Sequence, residues 1–153
     1  MKKLEFKKEI LKAARERHQS VLNDLKYGIE ELQKGEMGLH EDQLDLDQKS
    51  MDDSSNETIN RLAEQLIFAR DEMELLNRMV ILEPLHDKVT LGSVVETDKK
   101  TFYVSASIEE FEVDGKKLFG LSTQTPAYKA MQGLKKGDSF SIRDITYKIR
   151  DVY

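Results

Sequence analysis

Cysteine is absent from the 153 residues, which excludes a disulfide framework and thiolate-held metal. Long apolar runs are absent too. The longest, Met79-Val80-Ile81-Leu82, is far too short to span a bilayer. The opening MKKLEFKKEI contains no apolar core of the kind a signal peptide needs, so a cytoplasmic, non-membrane protein is expected. Glycine is sparse, and Gly35 and Gly38 lack the spacing and the Lys-Ser/Thr follow-on of a phosphate-binding loop. No serine stands in a nucleophile-elbow pattern, and His40 and His86 have no zinc-motif partner. An excess of positive charge is missing as well. The net charge of -5 argues against general affinity for duplex DNA.

Charge is nevertheless plentiful, at 35% of residues, and unevenly placed. Lys2, Lys3, Lys7, Lys8, Lys12, Arg15 and Arg17 crowd the start. Glu41, Asp42, Asp45, Asp47, Asp52 and Asp53 crowd a later stretch where Lys49 is the lone base. Blocks of opposite sign suggest partner contacts at two places. The early basic run could face nascent RNA or an acidic protein surface, against the plainer reading of a solvated helix face.

Residues 4–34 contain no proline and one interior glycine, Gly28. Leu4, Leu11, Leu25 and Leu32 recur on a seven-residue beat that His18 completes, with Ala14, Val21, Leu22 and Ile29 between. That pattern predicts a long helix with one apolar stripe, stopped by Gly35 and Gly38. His18 on the stripe reads as a register-fixing polar residue rather than a metal ligand. A second helix is predicted from Glu57 to about Met79. It starts at a Ser54–Glu57 capping box, and Ile59, Leu62, Leu66, Ala69, Met73, Leu76 and Val80 form a coiled-coil seam. Pro84 closes the segment.

Neither one-striped helix is stable alone in water, so an antiparallel hairpin over 1–82 is expected. Its seam pairs Leu32 with Ile59, Leu25 with Leu66, His18 with Met73 and Leu11 with Val80. The remainder, at about 36–56, is a polar acidic tip in which Leu39, Leu44, Leu46 and Met51 could make a local cluster.

From 83 to 153 the period changes. Stretches starting at Val89, at Phe102-Tyr103-Val104, at Phe111–Val113 and at Lys117–Ser122 read as strands, with Asp114-Gly115 as a hairpin turn. Pro126 opens a short helix that Gly133 ends. Two alternating strands follow, carrying Phe140 and Ile142, then Ile145, Tyr147, Ile149 and Val152. The expectation is an α+β chain: a helical hairpin, then about five strands with one short helix. Tyr103, Phe111 and Phe119 are candidate core aromatics.

These residues resemble a known family. Leu91-Gly92-Ser93-Val94-Val95 looks like the start of the C-terminal domain of Gre-type transcript cleavage factors. Ser122, Thr125-Pro126, Ala130-Met131, Gly133 and Gly137-Asp138 stand where that family's signature places Ser, Ser-Pro, Ala-Leu, Gly and Gly-Asp. The closing strand matches in type and place. Motif-level likeness covers 80–153, and residues 1–79 match in architecture alone. The signature residues read as turn and packing chemistry that identifies the fold.

The resemblance implies an FKBP-like β domain docking at the rim of the RNA polymerase secondary channel, with the hairpin entering it. Tip carboxylates would then help hold a magnesium ion shared with the polymerase active site. Asp45 and Asp47 rank first for that role, followed by Glu41, Asp42, Asp52 and Asp53. Magnesium takes hard oxygen ligands and often only one or two protein carboxylates. No catalytic centre of the chain's own is implied, no tightly bound cofactor, and a monomer is expected.

The tip departs from the family pattern. Gre factors carry an acid separated by two residues from a Glu-Asn pair, then alanine and a second acid. Here Asp47 is followed three places later by Ser50, and the tip holds no Glu-Asn pair. A channel-blocking relative that does not stimulate cleavage therefore stays open. So does a solvated loop with no metal role. Further rivals are a Rnk-type regulator, which has a shorter hairpin, a peptidyl-prolyl isomerase by fold analogy, and an oligomerisation module using the coiled coil.

Overall fold

The computed structural model describes residues 2–42, 46–82 and 84–153, with side chains for 2–35, 56–82 and 84–153. The chain is α+β. Two long helices, α1 (Lys2–Asp42) and α2 (Leu46–Arg78), precede a six-stranded mixed sheet and one short helix. Contacts divide it into two compact units: Met1–Arg17 with Glu72–Tyr153, and His18–Asp71.

Within His18–Asp71 the two helices run antiparallel. A methyl group of Leu62 lies 3.7 Å from where a Cβ on Gly28 would sit, and His18 Nε2 donates to the Ala69 carbonyl at 2.7 Å. His18, Leu22, Leu66 and Ala69 are buried and Leu25, Ile29, Leu32, Ile59 and Leu62 half-buried, as a single apolar stripe on each helix requires.

Two expectations for this segment fail. Gly35 and Gly38 do not stop α1, which continues to Asp42; glycine inside a helix costs only about 1 kcal/mol relative to alanine, and surrounding helix formers absorb it. Ser54 is no N-cap, because α2 starts at Leu46 and Ser54 lies inside it. Residues 43–45, between α1 and α2, lie outside the described residues.

In the other unit, Ile10, Leu11 and Ala14 of α1 and Leu76 of α2 pack on the sheet with Val94, Tyr103, Ile108, Phe111, Leu118 and Tyr153. Arg15 spans the pair. Its Nε donates to the Leu76 carbonyl and its Nη2 to the Met79 carbonyl, both at 2.9 Å. Those carbonyls belong to the last turn of α2 and its exit, where helical partners run out. Glu72, also buried, accepts from Ser107 N at 3.0 Å. Val80, expected on the seam, lies beyond the end of α2 and is 69% exposed.

The sheet comprises β1 (Val94–Thr97), β2 (Thr101–Ser105), β3 (Ile108–Val113), β4 (Lys116–Ser122), β5 (Ser139–Ile142) and β6 (Ile145–Val152). Its order is β3-β4-β2-β1-β6-β5, with β2 and β4 parallel and every other neighbour antiparallel. Helix α3 (Pro126–Met131) belongs to the second face. There Val89, Val95, Phe102, Val104, Tyr128, Met131, Phe140, Tyr147, Ile149 and Val152 form a core separate from the first. Both faces are thus covered, which is why β1 and β2 read as continuous apolar runs rather than clean alternation. Gly120 on β4 is obligatory. A Cβ there would sit 2.5 Å from the Ala106 carbonyl oxygen and 2.6 Å from the Ile108 Cβ.

Candidate functional site

The signature stretch folds around α3. Ser122 ends β4; its Oγ accepts from Gln124 N at 3.1 Å, and its carbonyl accepts from Thr125 Oγ1 at 2.7 Å. Thr125, in extended geometry, caps α3 by accepting from Tyr128 N through Oγ1 at 3.3 Å. Pro126 follows at the first helical turn, where its missing N–H costs nothing. Beyond the helix, Gly133 N donates to the Val89 carbonyl at 2.9 Å, and Gly137 N to the Ile149 carbonyl at 2.9 Å. Asp138 Oδ2 accepts from Lys135 N at 2.8 Å and closes the turn into β5. Every polar side chain of the signature is thus engaged with nearby backbone.

Beside α3 lies a groove of about 650 Å³, lined by Lys100, Leu121, Pro126, Ile142, Arg143 and Tyr147 among others. Thr125 and Ala130 of the signature also face it. Tyr147 stacks on Phe140 with ring centres 5.2 Å apart, and Phe102 meets Tyr147 edge-on at 5.8 Å. Lys100 Nζ stands 4.7 Å from the centre of the Phe119 ring. Arg143 and Asp144 form the two-residue turn between β5 and β6, both at positive φ. Ile145, the next residue, is 46% exposed on the groove wall. An apolar trough with Lys100 and Arg143 on its margin complements a protein surface presenting apolar side chains and carboxylates.

The acidic candidates are placed differently. Asp45 lies outside the described residues. Glu41 and Asp42 fall in the last turn of α1, and Asp47, Asp52 and Asp53 on α2, with their side chains outside what is described. Among the described residues no group of three or more His, Cys, Asp or Glu could hold a metal ion. The basic run at the start is largely taken up internally. Lys3 pairs with Asp151 at 2.7 Å, Lys8 with Glu5 at 3.6 Å and Arg17 with Glu109 at 3.8 Å. Arg15 caps α2, and Lys7 is buried. Among the described residues no helix is long and apolar enough to cross a membrane.

Sequence reasoning passed over the groove residues Lys100, Arg143 and Ile145, and no local signal marks them, because strands distant in the chain bring them together. It also counted Lys7 with the outward-facing basic run, although a signal for its burial existed. Leu4, Lys7, Leu11, Ala14 and His18 step by three and four along the apolar stripe. A lysine there must either reach out of the core or be buried with it.

No family model matches the chain, and no curated protein matches it. Solved structures similar to it include two of Gfh1. "Structure of the transcription factor Gfh1" has 24% identity and a TM-score of 0.39, covering 93% of this chain and 94% of that one. "Crystal structure of Thermus aquaticus Gfh1" has 22% identity and a TM-score of 0.38, covering 93% and 95%. Likeness at this level says nothing of what either protein binds, and the functional reading rests on this chain's own residues.

Proposed function

We propose that this chain is a Gre-type transcription regulator that binds RNA polymerase through its sheet unit and carries its acidic hairpin toward the polymerase active site. The observation that carries the reading is the run Leu121–Ile142. Its match to the Gre signature is residue by residue, and the same residues build the capped α3 and one wall of the basic-rimmed groove. A partner surface with apolar side chains and carboxylates would seat there. The helical hairpin that precedes the sheet unit is the second part such a factor needs. The chain has no catalytic constellation of its own in this reading. Asp45 and Asp47 would offer hard oxygen ligands to a magnesium ion held mainly by the polymerase, whose chemistry is activation of water for phosphodiester hydrolysis.

The missing Glu-Asn pair favours a second form of the same reading, in which the hairpin occupies the channel and slows the polymerase without promoting cleavage. Two measurements test the proposal. Core RNA polymerase should capture the chain, and an authentic Gre factor should displace it; absence of capture at micromolar concentration rejects polymerase binding. Cleavage of backtracked RNA then separates the two forms. Stimulation that is lost in the double variant Asp45→Ala, Asp47→Ala assigns the tip acids, whereas stimulation that persists in it removes them.

A further inference from the structure

The sheet ends in two edge strands, β3 and β5, and the chain treats them differently. β3 carries Glu109, Glu110 and Glu112, and its register with β4 breaks between Ile108 and Phe111. Charge and a register break are common means of keeping an edge from pairing with another chain. β5, with the sequence Ser-Phe-Ser-Ile, has neither. It has no proline either, so each of its residues keeps a backbone N–H.

The alternation of the ladder fixes which groups of β5 are unpaired. Arg143 and Asp144, both at positive φ, make a two-residue turn, so Ile142 and Ile145 exchange backbone hydrogen bonds across it. Bonded and unbonded pairs then alternate along the hairpin, which makes Ser141 with Thr146 and Ser139 with Lys148 the unbonded ones. The far side of β6 agrees. Lys148 N donates to Asp98 Oδ1 at 2.9 Å and its carbonyl accepts from Asp98 N at 3.1 Å, while the Thr146 carbonyl accepts from Lys99 Nζ. Both residues therefore turn their backbone away from β5, and across the ladder Ser139 and Ser141 turn theirs outward. Both serines are exposed. Among the described residues no strand but β6 pairs with β5. Two N–H and two C=O groups thus stand in a row on an open edge.

The same strand borders the groove beside α3 through Ser141 and Ile142. Among its described lining residues are two cations, Lys100 and Arg143, and no carboxylate. The opposite face of the hairpin carries a third cation, the exposed Lys148, ladder partner of Ser139. We propose that the outer edge of β5 takes up an extended peptide segment of a partner protein as a seventh strand, and that this segment alternates apolar residues with carboxylates. Successive side chains of a strand fall on opposite faces. The apolar set falls on the groove, where Pro126, Ala130, Ile142 and Tyr147 receive it. The carboxylates fall on the side of Lys148, and those at the groove margin meet Arg143 and Lys100. Backbone bonds to Ser139 and Ser141 supply affinity that is blind to sequence, and the groove and its cations supply the selection. The inference rests on the groove being a docking face, as in the proposed function, and not on RNA polymerase as its occupant.

The test uses the full chain and a synthetic probe, acetyl-Glu-Val-Glu-Val-Glu-Val-amide, beside its counterpart with lysine in place of glutamate. The net charge of -5 would favour the lysine peptide, so glutamate-peptide binding that is tighter by about tenfold or more reports the local site. Amide hydrogen exchange followed by NMR reads the pairing. In the free chain Ser139 and Ser141 should exchange far faster than Phe140 and Ile142, whose amides are bonded to β6. Saturating glutamate peptide should slow the two serine amides by about tenfold or more. Lys100→Gln combined with Arg143→Gln changes exposed side chains only and should bring the two peptides within about threefold of each other. Any of four results overturns the proposal. The first is no saturable binding of the glutamate peptide up to about 1 mM. The second is binding without slowed exchange at Ser139 and Ser141. The third is an unchanged preference in the double variant. The fourth is slow exchange of both serine amides in the free chain that strengthens with protein concentration, which would make a second copy the occupant. Because no polymerase is present, failure of polymerase capture and failure of strand addition are read separately.

Discussion

At the scale of single residues, burial sets the sign of what a charge does. Lys7 titrates near its ordinary value of 10.5 in the unfolded chain and at about 8 in the folded one. Between those values the unfolded chain holds more protons, so the Lys7 contribution to stability rises as pH rises from about 8 to 10.5. Below 8 the folded protein bears the whole cost of the buried charge. Lys7→Met should therefore stabilise the protein at pH 7 by roughly 1–2 kcal/mol, allowing for solvent that still reaches the amine. The gap should close toward pH 10. Urea denaturation of both proteins at the two pH values checks this; a gap that is constant with pH would mean that the amine is not the cause. Tyr103 and Tyr153 show the same logic with the opposite charge. Burial pushes both phenols above their ordinary range, and Tyr153 is raised further by its hydrogen bond to Glu96 at 2.9 Å.

At the scale of elements, α1 runs through a glycine and the end of α2 is held by a side chain of α1. The passage of α1 through Gly35 is directly testable. Nothing lies within 4 Å of where a Cβ would sit, and no positive φ is needed there. Gly35→Ala should stabilise the protein by about 0.5–1 kcal/mol through helix propensity. A left-handed stop at that position would instead make the substitution destabilising, so the sign of the change in thermal midpoint decides. The end of α2 depends on Arg15, whose guanidinium serves the carbonyls of Leu76 and Met79. Arg15→Met keeps the aliphatic packing and removes both bonds. A loss of about 1.5–3 kcal/mol is expected in equilibrium unfolding, because bonds from a charged donor are the stronger kind; a loss below 0.5 kcal/mol would mean that water replaces the guanidinium at no cost.

At the scale of the whole molecule, the proposed polymerase factor separates binding from chemistry. The groove beside α3 lies in the unit that holds the sheet, and the acidic run lies on the helices of the other. Ile145→Glu puts a carboxylate on the exposed groove wall. It should weaken capture by RNA polymerase by about tenfold or more and leave the thermal midpoint nearly unchanged, as expected for an exposed residue at an interface. Asp45→Ala with Asp47→Ala should do the reverse, keeping capture and altering only the effect on backtracked RNA. Equal capture by the Ile145→Glu variant would remove the groove as the docking face.

Much of the architecture was legible from residues 1–153 before any coordinates. The seven-residue beat of Leu11, His18 and Leu25 and the three-four stepping of Ile59, Leu62, Leu66 and Ala69 marked two one-striped helices. The Asp114-Gly115 turn lies between β3 and β4, and Thr125-Pro126 opens α3, where local hydrogen bonding and backbone sterics put them. These are short-range effects, written within a few residues. The helix ends at Gly35 and Ser54 were misread because propensity there is weak and continuation of the helix outweighed it. The parallel pairing of β2 with β4, the covering of both sheet faces, the burial of Lys7 and the placing of Lys100 and Arg143 on one groove were decided by the tertiary structure alone. Each depends on segments tens of residues apart sharing one core, and no local pattern encodes which distant surface a side chain will meet.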